Sequence, residues 1–180
     1  MKNLPQIKTN RLILRELVAT DIPKIVEYAN NKKISDTTTL PFPYQEKDAI
    51  FWLNMAHQGL KKGSNYIFAI NLKSDPAFIG GISLTIEPYS RALIGYWIAE
   101  PFWNLGYATE ATTAIIKFGF ETLNLHKIYS NHMEQNPSSG KVMIKNGMIK
   151  EAELKDHISK DGNYHTLIQY RLTKNEYENR

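Results

Sequence analysis

Cysteine is absent from this chain, and its absence removes several kinds of chemistry at once. Without a thiol the protein can form no disulfide, no thiolate–metal site and no acyl-cysteine intermediate. Long apolar runs are missing as well. No run reaches the ~20 residues that cross a bilayer, and the first ten residues lack the apolar segment of a secretory signal. We therefore expect a cytoplasmic protein.

The charge of the chain is only mildly positive, with a formal net charge of +4 and no block of like charges. Hydrophobic residues make up 42% of the 180 positions and charged residues 22%, which is the balance of an ordinary folded domain. We expect one domain over residues 1–180. The mild positive charge suits an anionic cofactor and supports a nucleic-acid-binding domain only weakly, so we expect no nucleic-acid or membrane partner.

The hydrophobic pattern predicts a mixed α+β fold. Strand patterns cover 11–16, 66–71, 78–86, 92–99, 126–132, 148–155 and 164–172. Helical patterns start near residue 20, cover 46–62, and start again at 106 and 136. In the second helix, Ile50, Leu53 and Leu60 form the expected inward stripe. The three strands from 66 to 99 predict an antiparallel meander. The strand, helix and strand from 92 to 132 predict one parallel pair.

The stretch from Gly95 onwards changes from a strand through a short loop into a helix that begins at Gly106. The first amides of a helix have no intrahelical partner and carry the positive end of the helix dipole, so they form a seat for phosphate. Gly106 allows close approach to the backbone, and Ala108 adds little bulk. The loop has neither a Walker lysine nor a GxGxxG fingerprint. From spacing alone, an ordinary strand–loop–helix connection is an equally good interpretation.

The loop sequence Pro-Phe-Trp-Asn-Leu-Gly-Tyr-Ala-Thr-Glu-Ala resembles the acyl-CoA-binding segment of the GNAT N-acetyltransferases. The resemblance is strongest to the branch of ribosomal-protein alanine N-acetyltransferases. The family pattern is Gln/Arg-x-x-Gly-x-Gly/Ala, and here Trp103, Gly106 and Ala108 take its three defined positions. Leu105 stands where that branch has a basic or amide residue. The resemblance implies that main-chain amides at Leu105, Gly106, Tyr107, Ala108 and Thr109 hold the CoA pyrophosphate.

A second segment, which begins at Asn136, resembles the family motif NxxSxxxxxKxGF. The resemblance implies that Asn136 binds the pantetheine amides and that Ser139 assists the departing thiolate. The alternative is that Asn136 and Ser139 only cap a helix, a role worth about 1 kcal/mol. Many GNAT enzymes have a Tyr that acts as the general acid at a position that corresponds to the neighbourhood of Met143 here. This chain has no Tyr there, so Ser139 becomes the candidate for that role.

A general base for the incoming amine is harder to assign. Glu87 and Glu100 are the candidates, and the alternative for each is a solvated loop carboxylate. Several GNAT enzymes have a catalytic Glu at a position that corresponds here to Leu93, which cannot accept a proton. The pair Asp156 and His157, in the last hairpin where it could border the cleft, is the reserve candidate for the base.

Over about residues 10–172, the resemblance implies a GNAT-like fold, with a twisted, mostly antiparallel sheet, a splayed parallel pair and about four flanking helices. It further implies acetyl-CoA as co-substrate, no metal, an oxyanion contact from strand amides near Ile98, and direct transfer in a ternary complex. The expected acceptor is a protein or peptide N-terminal α-amine. Open alternatives are a small amine or antibiotic as acceptor, and a non-catalytic acyl-CoA-binding module. A homodimer is also left open.

Overall fold

The computed structural model describes residues 4–180 as one eight-stranded mixed sheet flanked by helices. The strands are β1 (Ile7–Lys8), β2 (Leu12–Arg15), β3 (Asn65–Leu72), β4 (Phe78–Glu87), β5 (Arg91–Ile98), β6 (Lys127–Met133), β7 (Ile149–Lys160) and β8 (Asn163–Thr173). The helices are α1 (Ile22–Ala29), α2 (Lys32–Ser35), α3 (Glu46–Lys62), α4 (Tyr107–Lys117), α5 (Pro137–Lys145) and α6 (Lys174–Glu178). The order of the strands in the sheet is β1-β2-β3-β4-β5-β6-β8-β7.

The parallel pair expected from the sequence is β5 and β6, joined by α4. The two strands pair from Arg91 with Lys127 to Ile94 with Ser130, and their pairing ends there. Strand β6 continues to pair with β8 as far as Met133 with Leu167. The sheet therefore opens between β5 and β6. We call this opening the splay; its sides are residues 95–98 of β5 and 131–133 of β6. The predicted fold class, a mostly antiparallel sheet with one splayed parallel pair, is confirmed.

The core lies on both faces of the sheet. Consecutive side chains of β3 point to opposite faces of the sheet. Phe68 and Ile70 belong to the cluster under α4 and α5, whereas Ile67 and Ala69 belong to the cluster under α1 and α3. A strand that is buried on both sides carries a continuous apolar run, because side chains alternate between the two faces. This double burial fixes β3 in the middle of the sheet, two strands away from β5 and the splay.

Two sequence expectations about the helices need correction. Ile50 was expected to face inward, but 42% of it is exposed, and Ala49 is fully buried in its place. The buried stripe of α3 passes through Ala49, Leu53, Ala56 and Leu60 at spacings of three and four, which leaves Ile50 about 100° around the helix. The sequence pattern also missed the two-residue β1 and the short α2 and α6. Between residues 4 and 180, no helix is long and apolar enough to cross a membrane.

Candidate active site

The loop between β5 and α4 turns sharply and delivers the start of α4 to one end of the splay. Trp103 helps to set the turn, because its indole N–H donates to the carbonyl of Ile98 at 2.6 Å. Gly106 has φ +81°, in the left-handed region where glycine pays no steric penalty. The Glu110 N–H closes the first turn on the Gly106 carbonyl at 3.0 Å. The N–H groups of residues 107–109 are left without helical partners.

Arg11, which the sequence interpretation missed, ties this loop to the start of β2. Its Nε lies 2.7 Å from Glu110 Oε2, and its Nη1 donates to the Leu105 carbonyl at 2.9 Å. The guanidinium also lies over the Tyr107 ring, 4.5 Å from the ring centre. Glu110, an acidic residue in the first turn of a helix that is predicted to bind an anion, was the available signal, because its charge has to be neutralised. The partner stands 99 positions away, and no local pattern identifies it.

The electrostatics of this end of the site depend on Glu110. Burial alone would raise the pKa of Glu110, but hydrogen bonds from Thr9 and Arg11 outweigh it and leave the pKa below its ordinary value. The side chain is therefore a carboxylate that Arg11 neutralises at close range. With this charge cancelled, the free amides and the dipole of α4 dominate the local field and favour an anion.

The edge of β5 presents backbone hydrogen-bonding groups to the splay. The Ile94 carbonyl accepts from Ser130 Oγ at 2.9 Å, and the Ile98 carbonyl accepts from Trp103, so both face the side of β6. Alternate residues of a strand direct their backbone groups to the same side, so the N–H and C=O of Tyr96 and the N–H of Ile98 face the splay as well. An extended chain with amide groups can bind to such an edge as a further strand would.

The start of α5 lies across the splay from β5. Asn136 caps this helix, since its Oδ1 accepts from the Ser139 N–H at 3.3 Å, and its Nδ2 donates to the Thr37 carbonyl at 3.4 Å. Tyr96 Oη lies 2.7 Å from Ser139 Oγ and 3.1 Å from the Ser139 carbonyl oxygen, within hydrogen-bond distance of both. Burial raises the pKa of Tyr96 to about 12, although the hydrogen bond with Ser139 opposes the shift. Tyr96 and Ser139 therefore meet over the splay with the phenol protonated.

Glu87, one of the two expected bases, lies at the wrong end of the sheet. It stands opposite Arg91 in the β4–β5 pairing, and Tyr96 is five residues further along, about 17 Å away at the usual rise per residue. Its carboxylate accepts from Tyr129 Oη at 2.6 Å and from Arg91 Nη2 at 3.3 Å. A direct role at the splay does not fit this position, because the pairing register, which local sequence does not reveal, carries Glu87 away.

Glu100, the other expected base, lies in the turn after β5 and beside the α1–α2 connection. It pairs with Lys33 and accepts from Asn31 Nδ2 at 2.6 Å. These hydrogen bonds hold the pKa of Glu100 below its ordinary value, which makes it a weaker base. A cavity of about 250 Å³ opens here, lined by Glu27, Tyr28, Asn30, Asn31, Glu100 and Pro101.

The other positions considered for a general base do not place a proton acceptor at the splay. Leu93 is half-buried opposite Tyr129, within the paired part of β5 and β6. Asp156 and His157 are exposed at an irregularity of β7, the edge strand, which only β8 links to β6. Among residues 4–180, no three His, Asp or Glu side chains come together in a group that could hold a metal ion.

Lys160, near the turn of the β7–β8 hairpin, fastens the loop that follows α2. Its ammonium donates to the Ser35 carbonyl, to the Thr38 carbonyl at 2.8 Å and to the Leu40 carbonyl at 3.2 Å. Burial lowers the pKa of Lys160. Because Asn136 also holds this loop, the loop, the hairpin and the start of α5 form one connected wall beside the splay.

Comparison with known proteins agrees with this geometry. The sequence profile of the acetyltransferase (GNAT) domain matches residues 11–149. The uncharacterized N-acetyltransferase YnaD of Bacillus subtilis is 29% identical over 177 residues, which cover 95% of this chain and 98% of that protein. The ribosomal protein uS5-alanine N-acetyltransferase of Escherichia coli is 25% identical over 185 residues, which cover 95% of this chain and 93% of the enzyme.

The crystal structure of a GNAT-family acetyltransferase from Bacillus anthracis superposes with a TM-score of 0.85 at 25% identity, covering 96% of this chain and all of that one. The profile match spans both sides of the splay, from Arg11 through Ser139. The chain therefore belongs to the GNAT acetyltransferase family and is an N-acetyltransferase.

Proposed function

We propose that this protein transfers an acetyl group from acetyl-CoA to a primary amine, with a protein or peptide N-terminal α-amine as the acceptor. The observation that carries this proposal is the splay itself. The free amides of α4 lie at one end, the open edge of β5 forms one side, and Ser139 lies across it. The group that fits has an anionic end, an extended amide-containing arm and a reactive tip, and acetyl-CoA has all three.

Each part of the site suits one part of that molecule. The left-handed Gly106 leaves the N–H groups of residues 107–109 open to a pyrophosphate. The backbone groups of Tyr96 and Ile98 pair with the amides of the arm, and Asn136 lies on the opposite side. Ser139 is placed to donate to the sulfur. When bound, acetyl-CoA supplies the acetyl group as a thioester.

The residues of the splay act by positioning and by polarisation. They hold the amine nitrogen against the thioester carbonyl, where a C–N bond forms, the C–S bond breaks and the sulfur leaves as a thiolate. The Ile98 N–H stabilises negative charge on the carbonyl oxygen, and Ser139 stabilises it on the sulfur. The amine loses its proton to water or to a carboxylate, for which Glu100, in the turn that follows β5, is the candidate.

The weakness of the available bases favours an α-amine. An α-amine has a pKa near 7.7–8.0, so roughly a tenth of it is already neutral at pH 7, against about 0.04% of a lysine side chain with a pKa near 10.4. No strong base lies at the splay among these candidates. Leu93 cannot accept a proton, Glu87 lies at the far end of the sheet, and the pKa of Glu100 is lowered. The 25% identity to the uS5-alanine enzyme over nearly the whole chain supports the same class of acceptor.

A small polyamine is the second candidate acceptor, because the cavity beside Glu100 contains two carboxylates, Glu27 and Glu100. A cationic amine would find favourable charge there. Both are already engaged, with Lys24 and Lys33 respectively, so this candidate ranks behind the peptide.

The test compares three peptides and spermidine as acceptors with acetyl-CoA at pH 7, with free CoA as the readout. One has a free N-terminus and no lysine, one is N-terminally blocked with a single lysine, and one is blocked without lysine as the blank. We expect acetylation of the first to be at least tenfold faster than that of the second. Faster modification of the lysine peptide would refute the acceptor assignment. Spermidine outpacing both peptides would favour the small-amine candidate, and no CoA release with any amine would favour a non-catalytic acyl-CoA-binding module.

A further inference from the structure

Tyr96 approaches Ser139 in a way that the roles given above do not explain. Its hydroxyl crosses from β5 to the first turn of α5 and lies within hydrogen-bond distance of both Ser139 oxygens, Oγ at 2.7 Å and the carbonyl at 3.1 Å. A phenol has one proton to donate. The direction in which the two hydroxyls donate therefore decides whether the Ser139 proton is free.

Two arrangements satisfy these distances. In the first, Tyr96 donates to the Ser139 carbonyl and Ser139 donates back to Tyr96, so the serine proton is consumed within the protein. In the second, Tyr96 donates to Ser139 Oγ, and the serine O–H is free to point elsewhere. The Ser139 carbonyl loses little in the second arrangement, because it is also placed to accept the regular helical bond from the N–H of Met143.

Ser139 is held rigidly enough for this direction to matter. Its N–H is fixed by the cap at Asn136, and its neighbour Gly140 packs directly on the buried His132. A Cβ at position 140 would lie 2.7 Å from His132 Nε2, so only glycine lets α5 come this close to β6. The His132 ring is itself fixed, with Nδ1 donating to the Met133 carbonyl at 2.8 Å.

We propose that Tyr96 is a positioning residue for Ser139: its O–H donates to Ser139 Oγ, so that the Ser139 O–H donates to the departing thiolate sulfur. This inference rests on the proposed acetyl transfer. No proton is transferred between the two side chains, because hydrogen bonds alone stabilise the sulfur. Tyr96 thus supports, from β5, the role that the proposed function gives to Ser139 on α5.

The experiment is a double-mutant cycle of Tyr96→Phe, Ser139→Ala and the two together, with kcat, the KM for acetyl-CoA and the melting temperature measured for each. Ser139→Ala should lower kcat by about 10²-fold, the usual worth of one positioned proton donor. Tyr96→Phe should lower it by about 10-fold, the effect of one hydrogen bond. The double variant should be no slower than Ser139→Ala alone. The KM for acetyl-CoA should stay within about twofold, because Phe retains the ring.

Tyr129→Phe is the matched control. Tyr129 is also a half-buried strand tyrosine, its hydroxyl donates to Glu87 at 2.6 Å, and burial raises its pKa to about 12 as well. It lies in the paired part of β6, away from the splay, so Tyr129→Phe should leave kcat unchanged.

A binding measurement separates this inference from the proposed function. CoA and desulfo-CoA are titrated into each variant by calorimetry at pH 7 and pH 9.5. The preference of the wild-type protein for CoA should grow with pH as the thiol ionises, and Tyr96→Phe should lose most of that growth. Tyr96→Phe with unchanged kcat and unchanged preference, or additive losses in the cycle, would overturn the role of Tyr96 alone. No binding of CoA to the wild-type protein would overturn the proposed function and this inference together.

Discussion

Replacing Gly106 by Ala tests most directly whether the start of α4 is the proposed pyrophosphate-binding site. Gly106 has φ +81°, and an L-residue in the left-handed region costs about 1–2 kcal/mol. Steric crowding adds little, because an added Cβ would lie 3.4 Å from Arg11 Nη2, an ordinary contact. Strain alone therefore drives the variant away from the conformation in which the amides of residues 107–109 face a pyrophosphate.

The size of the effect follows from that strain. If the free variant relaxes and binding has to restore the left-handed turn, the affinity for acetyl-CoA falls by the same 1–2 kcal/mol, or about 5- to 30-fold. Gly106→Val should lose more, because a β-branched residue tolerates positive φ least. Calorimetry gives the dissociation constant, and the melting temperature shows that each variant is folded.

Gly162→Ala is the matched control for this experiment. Gly162 also has positive φ, at +78°, but it lies in the turn between β7 and β8, with open space around the added Cβ. It should lose stability by a similar amount and bind acetyl-CoA normally. If both Gly106 variants are folded and bind acetyl-CoA as tightly as the wild-type protein, then the start of α4 is not the pyrophosphate seat.

Two further results are expected. Because the pKa of Glu110 is lowered in the folded state, its contribution to stability is present above the unfolded value near 4.3 and is lost as the pH falls through the folded value. The melting temperatures of wild type and Glu110→Gln should therefore differ most at pH 6–7 and converge towards pH 3; a constant gap would contradict this coupling. Lys160→Met should loosen the loop after α2 and raise the KM for the acceptor, while the dissociation constant for acetyl-CoA stays unchanged. An equal rise in the KM and in the dissociation constant would show a general unfolding instead.

The sequence alone determined the parts of this protein that depend on neighbouring residues. The alternation and the helical spacing of hydrophobic residues predicted the strands and the long helices, and Asn136 predicted the N-cap of α5. Gly106 after a strand indicated a sharp turn into a helix. These features are local, because hydrogen bonds and dihedral preferences within a few residues produce them.

Only the tertiary structure decided which distant residues meet. It brought Arg11 to Glu110, Tyr96 to Ser139 and Lys160 to the loop after α2, and it placed Glu87 at the far end of the sheet. These contacts depend on the order and register of the strands, in which β8 comes between β6 and β7. Many orders are compatible with the same local patterns, and the choice among them is made by the burial of both faces of the sheet at once, which no single segment of the sequence contains.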